Sequence, residues 1–322
     1  MYKHLLSLTD LEQEEISFLI DRTIQIARGQ NREEQPLKGK TVGIYFRKTS
    51  TRTRTAFTLG ANKLGASVVA YGPNDLQTNT GESVVDTAHV LAGYLDALVL
   101  RTAESIEEMK ILASQNEMAI INAMSDLEHP TQALSDLAMM KQHFGYLNGL
   151  HVLYLGEGNS TAAALALAMS KLPAMRLTLL TPVDYGLPQE ILLQAQALAA
   201  KVGTRVEQSH NPACLPKNVD VVYATRWQTT GSTKSNPDWK ESFKPFCVTQ
   251  KLLKHVSKPT GTIFMHDLPA VRNEDVVDEV LDGPQSIVFC QAKNKLFGAM
   301  AVLEWSILGE VRDDSPENAY AA

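Results

Sequence analysis

Thr41-Val42-Gly43-Ile44-Tyr45-Phe46 runs directly into Arg47-Lys48-Thr49-Ser50-Thr51-Arg52-Thr53-Arg54. The first six residues form a short apolar run of strand length. A helical pattern begins inside the next eight, so the junction reads as a strand feeding a helix. Hydroxyls and free backbone N–H groups at a helix N-terminus make a cradle for an anion. Arg52 adds a planar fork that can grip two phosphate oxygens. The alternative is that Ser and Thr merely cap the helix while the cations stand in water. The concentration of cations and hydroxyls behind one strand favours the cradle.

Working outward, residues 66–71, 97–100 and 118–122 are further short apolar runs that alternate with helical patterns. Before them, Thr9-Asp10-Leu11-Glu12 has capping-box spacing, and Leu11, Ile16, Leu19, Ile20 and Ile24 recur at helical intervals. A helix over about 131–144 leads to Gly145-Tyr146-Leu147-Asn148-Gly149, where the chain turns. A second series of strands follows, at 151–155, 176–181, 205–208, 219–224, 262–266 and 286–289. Strand alternating with helix implies parallel sheets with covered faces. The expected architecture is α/β: two doubly wound parallel-sheet domains, residues 1–148 and 149–291, joined by long helices. A last helix over about 292–310 is apolar enough to pack back on the first domain. The tail, 312–322, is polar and small and expected to fray.

The 322 residues are enough for two domains that each bury a core. A net charge of −6 gives no reason to expect nucleic acid or an acidic membrane as partner, so any bound anion must be caught by local positive charge. No apolar stretch approaches the roughly 20 residues of a membrane span, and the first residues lack the apolar run of a signal peptide. Cys214, Cys247 and Cys290 show neither disulfide nor metal-ligand spacing, and a reduced cytoplasm is the natural location. Gly156-Glu157-Gly158-Asn159 lacks the third glycine of a dinucleotide fingerprint, which argues against an oxidoreductase.

Ser50-Thr51-Arg52-Thr53-Arg54 after an apolar strand resembles the carbamoyl-phosphate signature of the aspartate/ornithine carbamoyltransferase family. His129-Pro130-Thr131-Gln132, followed by Ala133-Leu134-Ser135-Asp136-Leu137, resembles the family's second signature. Arg101 closes a strand where the family keeps another phosphate-site arginine. Gln77, Glu82 and Asp86-Thr87-Ala88 resemble the loop before its third helix. His266-Asp267-Leu268-Pro269 resembles the His-Cys-Leu-Pro of ornithine enzymes, and Asp278-Glu279-Val280 and Ser286-Ile287-Val288-Phe289 continue that match. These segments run in family order over nearly the whole chain, nearest the ornithine branch.

The resemblance implies transfer of a carbamoyl group from carbamoyl phosphate to an amine of a small amino-acid-like acceptor, with a carbamoyl-phosphate domain and an acceptor domain. It implies no metal, cofactor or covalent nucleophile, because phosphate is a good leaving group and can itself accept the amine's proton. By resemblance, Ser50, Thr51, Arg52 and Thr53 hold the phosphate, with Arg101 and Thr53 near the bridging and carbonyl oxygens. His129 and Thr53 donate toward the carbonyl oxygen, and Gln132 accepts from the carbamoyl NH2. Lys295 stands where the family has an arginine. Arg54 reads as a structural ion-pair partner. The family's active sites lie between subunits of a trimer, so the resemblance implies a homotrimer. In it Gln77 either serves the neighbouring site or is a solvated loop residue.

The acceptor half departs from the ornithine pattern. The aspartate that follows the second-domain Tyr is Thr225, within Tyr223-Ala224-Thr225-Arg226-Trp227-Gln228, and Ser-Met-Gly has become Thr229-Thr230-Gly231. The Asn after Gly-Asp-Gly-Asn is Ser160, beside Asn159, and the Cys of His-Cys-Leu-Pro is Asp267, beside Leu268. A carboxylate lost at Thr225 and gained at Asp267 still provides for an incoming ammonium. Thr225-Arg226-Trp227-Gln228 resembles the Thr-Arg-x-Gln of aspartate enzymes, so Arg226 either binds an acceptor carboxylate or is an exposed loop charge. Trp227 and Trp239 either line the acceptor pocket or anchor a polar loop. Lys for Arg at Lys295 keeps the charge and loses the fork, leaving either a slower enzyme or Arg226 to supply contacts. Ornithine itself, an aspartate-type acceptor and a catalytically inactive binding subunit are the competing readings.

Overall fold

A computed structural model describes residues 2–30, 35–229 and 232–309. The helices are α1 (Gln13–Ala27), α2 (Arg52–Lys63), α3 (Val84–Ala92), α4 (Glu107–Leu112), α5 (Pro130–Phe144), α6 (Ser160–Met169), α7 (Gln189–Lys201), α8 (Trp239–Phe243), α9 (Gln250–Val256), α10 (Asp278–Leu281) and α11 (Val288–Leu308). Strands β1 (Thr41–Phe46), β2 (Ser67–Tyr71), β3 (Ala97–Arg101) and β4 (Ala119–Met124) form one parallel sheet in the order β2-β1-β3-β4. A second parallel sheet orders β5 (His151–Leu155), β6 (Arg176–Leu180), β7 (Arg205–Ser209), β8 (Val221–Ala224) and β9 (Ile263–His266) as β7-β6-β5-β8-β9.

This order places the site. In the first sheet the chain leaves β1 toward β2, then returns to put β3 on the other side. In the second it leaves β5 toward β6, then returns to put β8 on the other side. Each reversal opens a crevice at the carboxyl ends of the strands, where ligands of open α/β sheets bind. Residues 47–53 and Arg101 stand at the first crevice. Residues 156–160 and 225–229 stand at the second. Most strands are covered on both faces: β3, β4, β5, β8 and β9 are buried along their whole length, while β2 and β7, each at one edge of its sheet, are partly exposed.

Helix α5 leaves β4 with Pro130 in its first turn and ends at Gly145, whose φ of 84° is the left-handed cap a side chain would resist. Helix α11 packs on α1, α2 and α5. It approaches α5 so closely that a Cβ on Gly298 would lie 2.2 Å from Ser135 Oγ. Among the described residues no helix is long and apolar enough to cross a membrane.

Three expectations need correction. Residues 286–289 are not a strand: Ser286 makes one isolated parallel bridge to Phe264, and α11 begins at Val288 instead of near 292. A four-residue apolar run carries no periodicity of its own, and here the backbone of Gln285 and Ile287 brackets Phe264 while the next residues turn helical. The capping box at the N-terminus is made by Ser7 and Asp10 around a single 3-10 turn, and α1 starts only at Gln13, where Glu15 bonds the Glu12 amide. The strand expected over 219–224 starts at Val221, because Val219 bridges instead to Ser257. Thr230, Gly231 and the tail 312–322 lie outside the described residues.

Candidate active site

A cleft of about 240 Å³ opens between the two sheets. Its walls bring together Ser50, Thr51, Arg52, Thr53, Arg101, His129, Gln132 and Lys295 on one side. Asn159, Ser160, Thr225, Arg226, Gln228, Asp267 and Leu268 form the other. Gln77 stands outside it, exposed in a 3-10 turn where its side chain accepts from Thr80 Oγ1. Arg54 is exposed and also outside.

The first wall is rich in unmet donors. No side chain caps α2 at Thr51, and Ser50 Oγ accepts only from the Arg54 amide, at 3.3 Å. Arg52 Nε, Arg101 Nε and His129 Nε2 are all buried without a hydrogen-bond partner. A folded protein rarely leaves buried donors unpaired, and three converging on one cleft suit it to an anionic or carbonyl ligand. Burial, and then the neighbouring Arg52 charge, pull Arg101 down to about 10, so it stays cationic at neutral pH. Burial, with Lys295 and Arg101 nearby, holds His129 well below its usual range. Its ring is therefore a neutral hydrogen-bonding group.

Behind these donors lies a buried polar network. Gln132 Nε2 donates to both oxygens of Asp136, at 2.9 and 3.1 Å, one turn further along α5. Tyr223 OH and Gln291 Nε2 each donate to the same carboxylate at 2.8 Å. Burial still pushes Asp136 up to about 6 against those bonds. Lys295 Nζ donates to Gln132 Oε1. Burial, and then Arg101, bring Lys295 down to about 7. The sequence spacing of Gln132 and Asp136 was a signal for this pair, since i and i+4 share a helix face. Nothing in the sequence pointed to Gln291 or to Tyr223 as their partners.

The second wall is a chain of bonds. Asn159 caps α6 by accepting from the Thr161 and Ala162 amides at 3.0 and 3.2 Å, which turns its Nδ2 toward Thr225 Oγ1 at 3.1 Å. Thr225 in turn donates to the Asp267 carboxylate, 3.1 and 3.0 Å from its two oxygens. His266 shapes the turn below: its Nδ1 accepts from the Leu268 amide at 2.8 Å, leaving the ring proton on Nε2, 3.3 Å from Asp275. Arg226 is half-buried in the wall, with no ion pair or hydrogen bond of its side chain among the described residues. Trp227 and Trp239 do not line this cleft; both pack on Phe243, with ring centroids 5.6 Å away, and so anchor the loop. Thr49, Met124, Thr161, Thr229 and Pro269 complete the lining.

Residues 3–142 match the family described as aspartate/ornithine carbamoyltransferase, carbamoyl-P binding domain, and residues 148–306 match its Asp/Orn binding domain. Among curated proteins, the ornithine carbamoyltransferase of Bacillus anthracis is 37% identical over 301 residues, covering 94% of this chain and 93% of that protein. That of Oceanobacillus iheyensis is 36% identical and covers 92% of each. Among solved structures, the ornithine carbamoyltransferase from Pyrococcus furiosus superposes with a TM-score of 0.89 at 35% identity, over 96% of this chain and 98% of that one. The anabolic ornithine carbamoyltransferase from Campylobacter jejuni superposes at 0.87 with 28% identity, over 96% of this chain and 100% of that one. The likeness therefore extends over nearly the whole length of these proteins and includes both walls of the cleft.

Proposed function

Because the chain belongs to the aspartate/ornithine carbamoyltransferase family, we propose that it carries the carbamoyl group of carbamoyl phosphate to an amine of a small amino-acid-like acceptor and releases phosphate. The observation that carries this reading is the convergence of three unpartnered buried donors, on Arg52, Arg101 and His129, across one cleft from the Asp267 carboxylate. Donors on one side suit the phosphate and carbonyl oxygens of the donor substrate. A carboxylate on the other side suits an incoming ammonium.

In this reading the open first turn of α2 with Arg52 takes the phosphate, and Arg101 bridges toward the leaving oxygen. Neutral His129 donates to the carbonyl oxygen, where negative charge develops. Gln132 Oε1 has two lone pairs, so one remains for the carbamoyl NH2 while Lys295 occupies the other. The neutral amine attacks the carbonyl carbon, the C–O bond to phosphate breaks, and the amine's proton leaves with the phosphate. Alignment of the two substrates supplies most of the remaining acceleration.

Asp267, held by Thr225, steers the acceptor amine, and Arg226 takes a carboxylate at the far end of the acceptor. Residues 1–148 form the donor domain, with the last helix packed back on it, and residues 149–291 form the acceptor domain. The working assembly is a cytoplasmic homotrimer in which Gln77 reaches a neighbouring site; a monomer at catalytic concentrations in sedimentation would contradict it. A second reading makes ornithine itself the acceptor, bound by a rearranged pocket, and it is favoured by the ornithine carbamoyltransferases that the chain resembles over nearly its whole length. Phosphate release from carbamoyl phosphate with ornithine, its N-acylated and shortened homologues, aspartate, lysine, diaminopropionate and putrescine distinguishes these readings. Turnover with ornithine best of all selects the second. Carbamoyl-phosphate binding without turnover of any amine would instead indicate an inactive binding subunit.

A further inference from the structure

Glu157 lies in the tight turn between β5 and α6, outside the cleft, yet both oxygens of its carboxylate bond to one loop. Its Oε2 accepts from the Thr229 amide at 3.0 Å and from Thr229 Oγ1 at 2.9 Å, and its Oε1 accepts from Lys234 Nζ. The Lys234 side chain is only 5% exposed and that of Glu157 only 16%. Around the ammonium stand the rings of Tyr185, Phe243 and Trp239, their centroids 4.4, 5.2 and 5.4 Å from Nζ. Ring faces attract a cation, and the carboxylate neutralises it, so an otherwise costly buried lysine is accommodated.

The turn itself is pressed into the same place. Gly158 N–H donates to the Tyr185 carbonyl at 2.8 Å, and a Cβ on Gly158 would lie 2.3 Å from the Gly186 carbonyl carbon. Three segments distant in sequence therefore meet at Lys234: the turn at 156–158, the Tyr185 segment after β6, and the loop after β8. The turn continues into Asn159, Ser160 and Thr161, and the loop begins at Thr225, Arg226, Gln228 and Thr229. Those residues are the acceptor wall of the cleft. The pin touches no reacting atom, but it ties together the two segments that carry this wall.

We propose that Lys234 and Glu157 are positioning residues that set the acceptor pocket in its binding geometry before the acceptor arrives, and so determine which acceptors fit. This rests on the carbamoyl-transfer reading for what enters the pocket. Lys234→Met keeps an apolar stem among the rings and removes the charge, leaving Glu157 its two bonds to Thr229. Three readouts apply: KM and kcat for whichever acceptor the amine screen finds best, the Kd of inorganic phosphate by calorimetry, and iodide quenching of tryptophan fluorescence. Trp227 and Trp239 report on the pin in the last of these, with Trp305, buried in α11, as a constant background.

Lys234→Met raises the acceptor KM by about tenfold or more, with kcat within about twofold and the phosphate Kd unchanged. Quenching increases, and Lys234→Arg retains most of the wild-type KM. The exchanged pair Glu157→Lys/Lys234→Glu does not restore KM, because ring faces repel a carboxylate. An unchanged KM, a matched fall in kcat, or a phosphate Kd that moves with KM would overturn the proposal. If the wild-type protein turns over no amine, the carbamoyl-transfer reading fails by itself. The pin is then judged by fluorescence, and unchanged quenching in Lys234→Met refutes it.

Discussion

Raising the pH from 6.5 to 8.5 should weaken the binding of a divalent anion in the cleft, and Lys295→Arg should remove that dependence. Lys295 donates to Gln132, and burial and Arg101 bring its ammonium down to about 7. The charged groups that face it are Arg101 and Arg52, which disfavour its charge, and Asp136 and Asp267, which favour it. A dianion seated beside the two arginines reverses the balance and draws a proton onto Lys295. The sign follows: with a free-site value near 7 and a higher bound value, affinity is complete below pH 7 and falls as pH rises above it. The fall approaches tenfold per pH unit, so between pH 6.5 and 8.5 the Kd should rise about twentyfold. The other groups do not counterfeit this slope. Asp136, at about 6, has largely ionised before the window, Arg101, at about 10, titrates above it, and His129 stays neutral throughout. Sulfate is the right probe because it remains a dianion over the whole range. Calorimetry in buffers of different ionisation enthalpy should also register uptake of close to one proton per sulfate at the upper end. Arginine stays charged when buried, so the variant should bind with a flat pH profile. A wild-type profile that is flat, or a Lys295→Arg profile with the same slope, would refute this account of the site's charge.

Asp267→Asn should raise the acceptor KM by about tenfold to thirtyfold, the worth of one charge-assisted bond, and at the same time tighten inorganic phosphate, because a negative charge near Arg52 and Arg101 is lost. Loosened phosphate in a calorimetric titration would count against it. Arg226→Gln should weaken acceptors that bear a carboxylate and leave putrescine unaffected, as competition kinetics would reveal. Gly298→Ala forces a methyl onto Ser135 at the α5–α11 contact and should cost about 2 kcal/mol, or about 4–8 °C in Tm by calorimetry. Glu128 accepts from Ser7 Oγ at 2.6 Å and the Leu8 amide at 2.7 Å, and burial pushes it up to about 7. A carboxyl raised above its unfolded value favours the folded state most at pH 4.5 and below, and loses that contribution as pH rises to 7. Glu128→Gln reproduces the protonated form, so its Tm should improve relative to wild type between pH 5 and 8; a constant difference would contradict this.

The parallel architecture was legible because its signal is local and repeated: most strands are short apolar runs bounded by a helical pattern, and only the edge strand β7, Arg205–Ser209, is largely polar. The same rule misread residues 286–289, where a run as apolar as β1 starts a helix, since only the neighbouring Phe264 backbone and the bed for α11 distinguish the two outcomes. In the site, the residues around Ser50–Thr53, His129–Gln132 and Asp267 could be picked out from motifs. Asp136, Tyr223 and Gln291 could not be joined into one network, because they come from α5, β8 and α11 and meet only through packing. Trp227 and Trp239 show the limit most simply. Beside a polar loop, an aromatic serves equally as pocket wall or anchor, and Phe243 decides for anchor.

By itself the sequence determined that a strand would deliver hydroxyls, amides and Arg52 to the start of a helix, because those groups are covalent neighbours and the cradle they make needs only a few residues of regular backbone. Tertiary structure alone decided that Lys295 is a titrating group where a permanently charged arginine would not be, and that Lys234 closes on Glu157. Both depend on how far water is excluded and which charges arrive from remote segments, and neither quantity exists until the chain has folded.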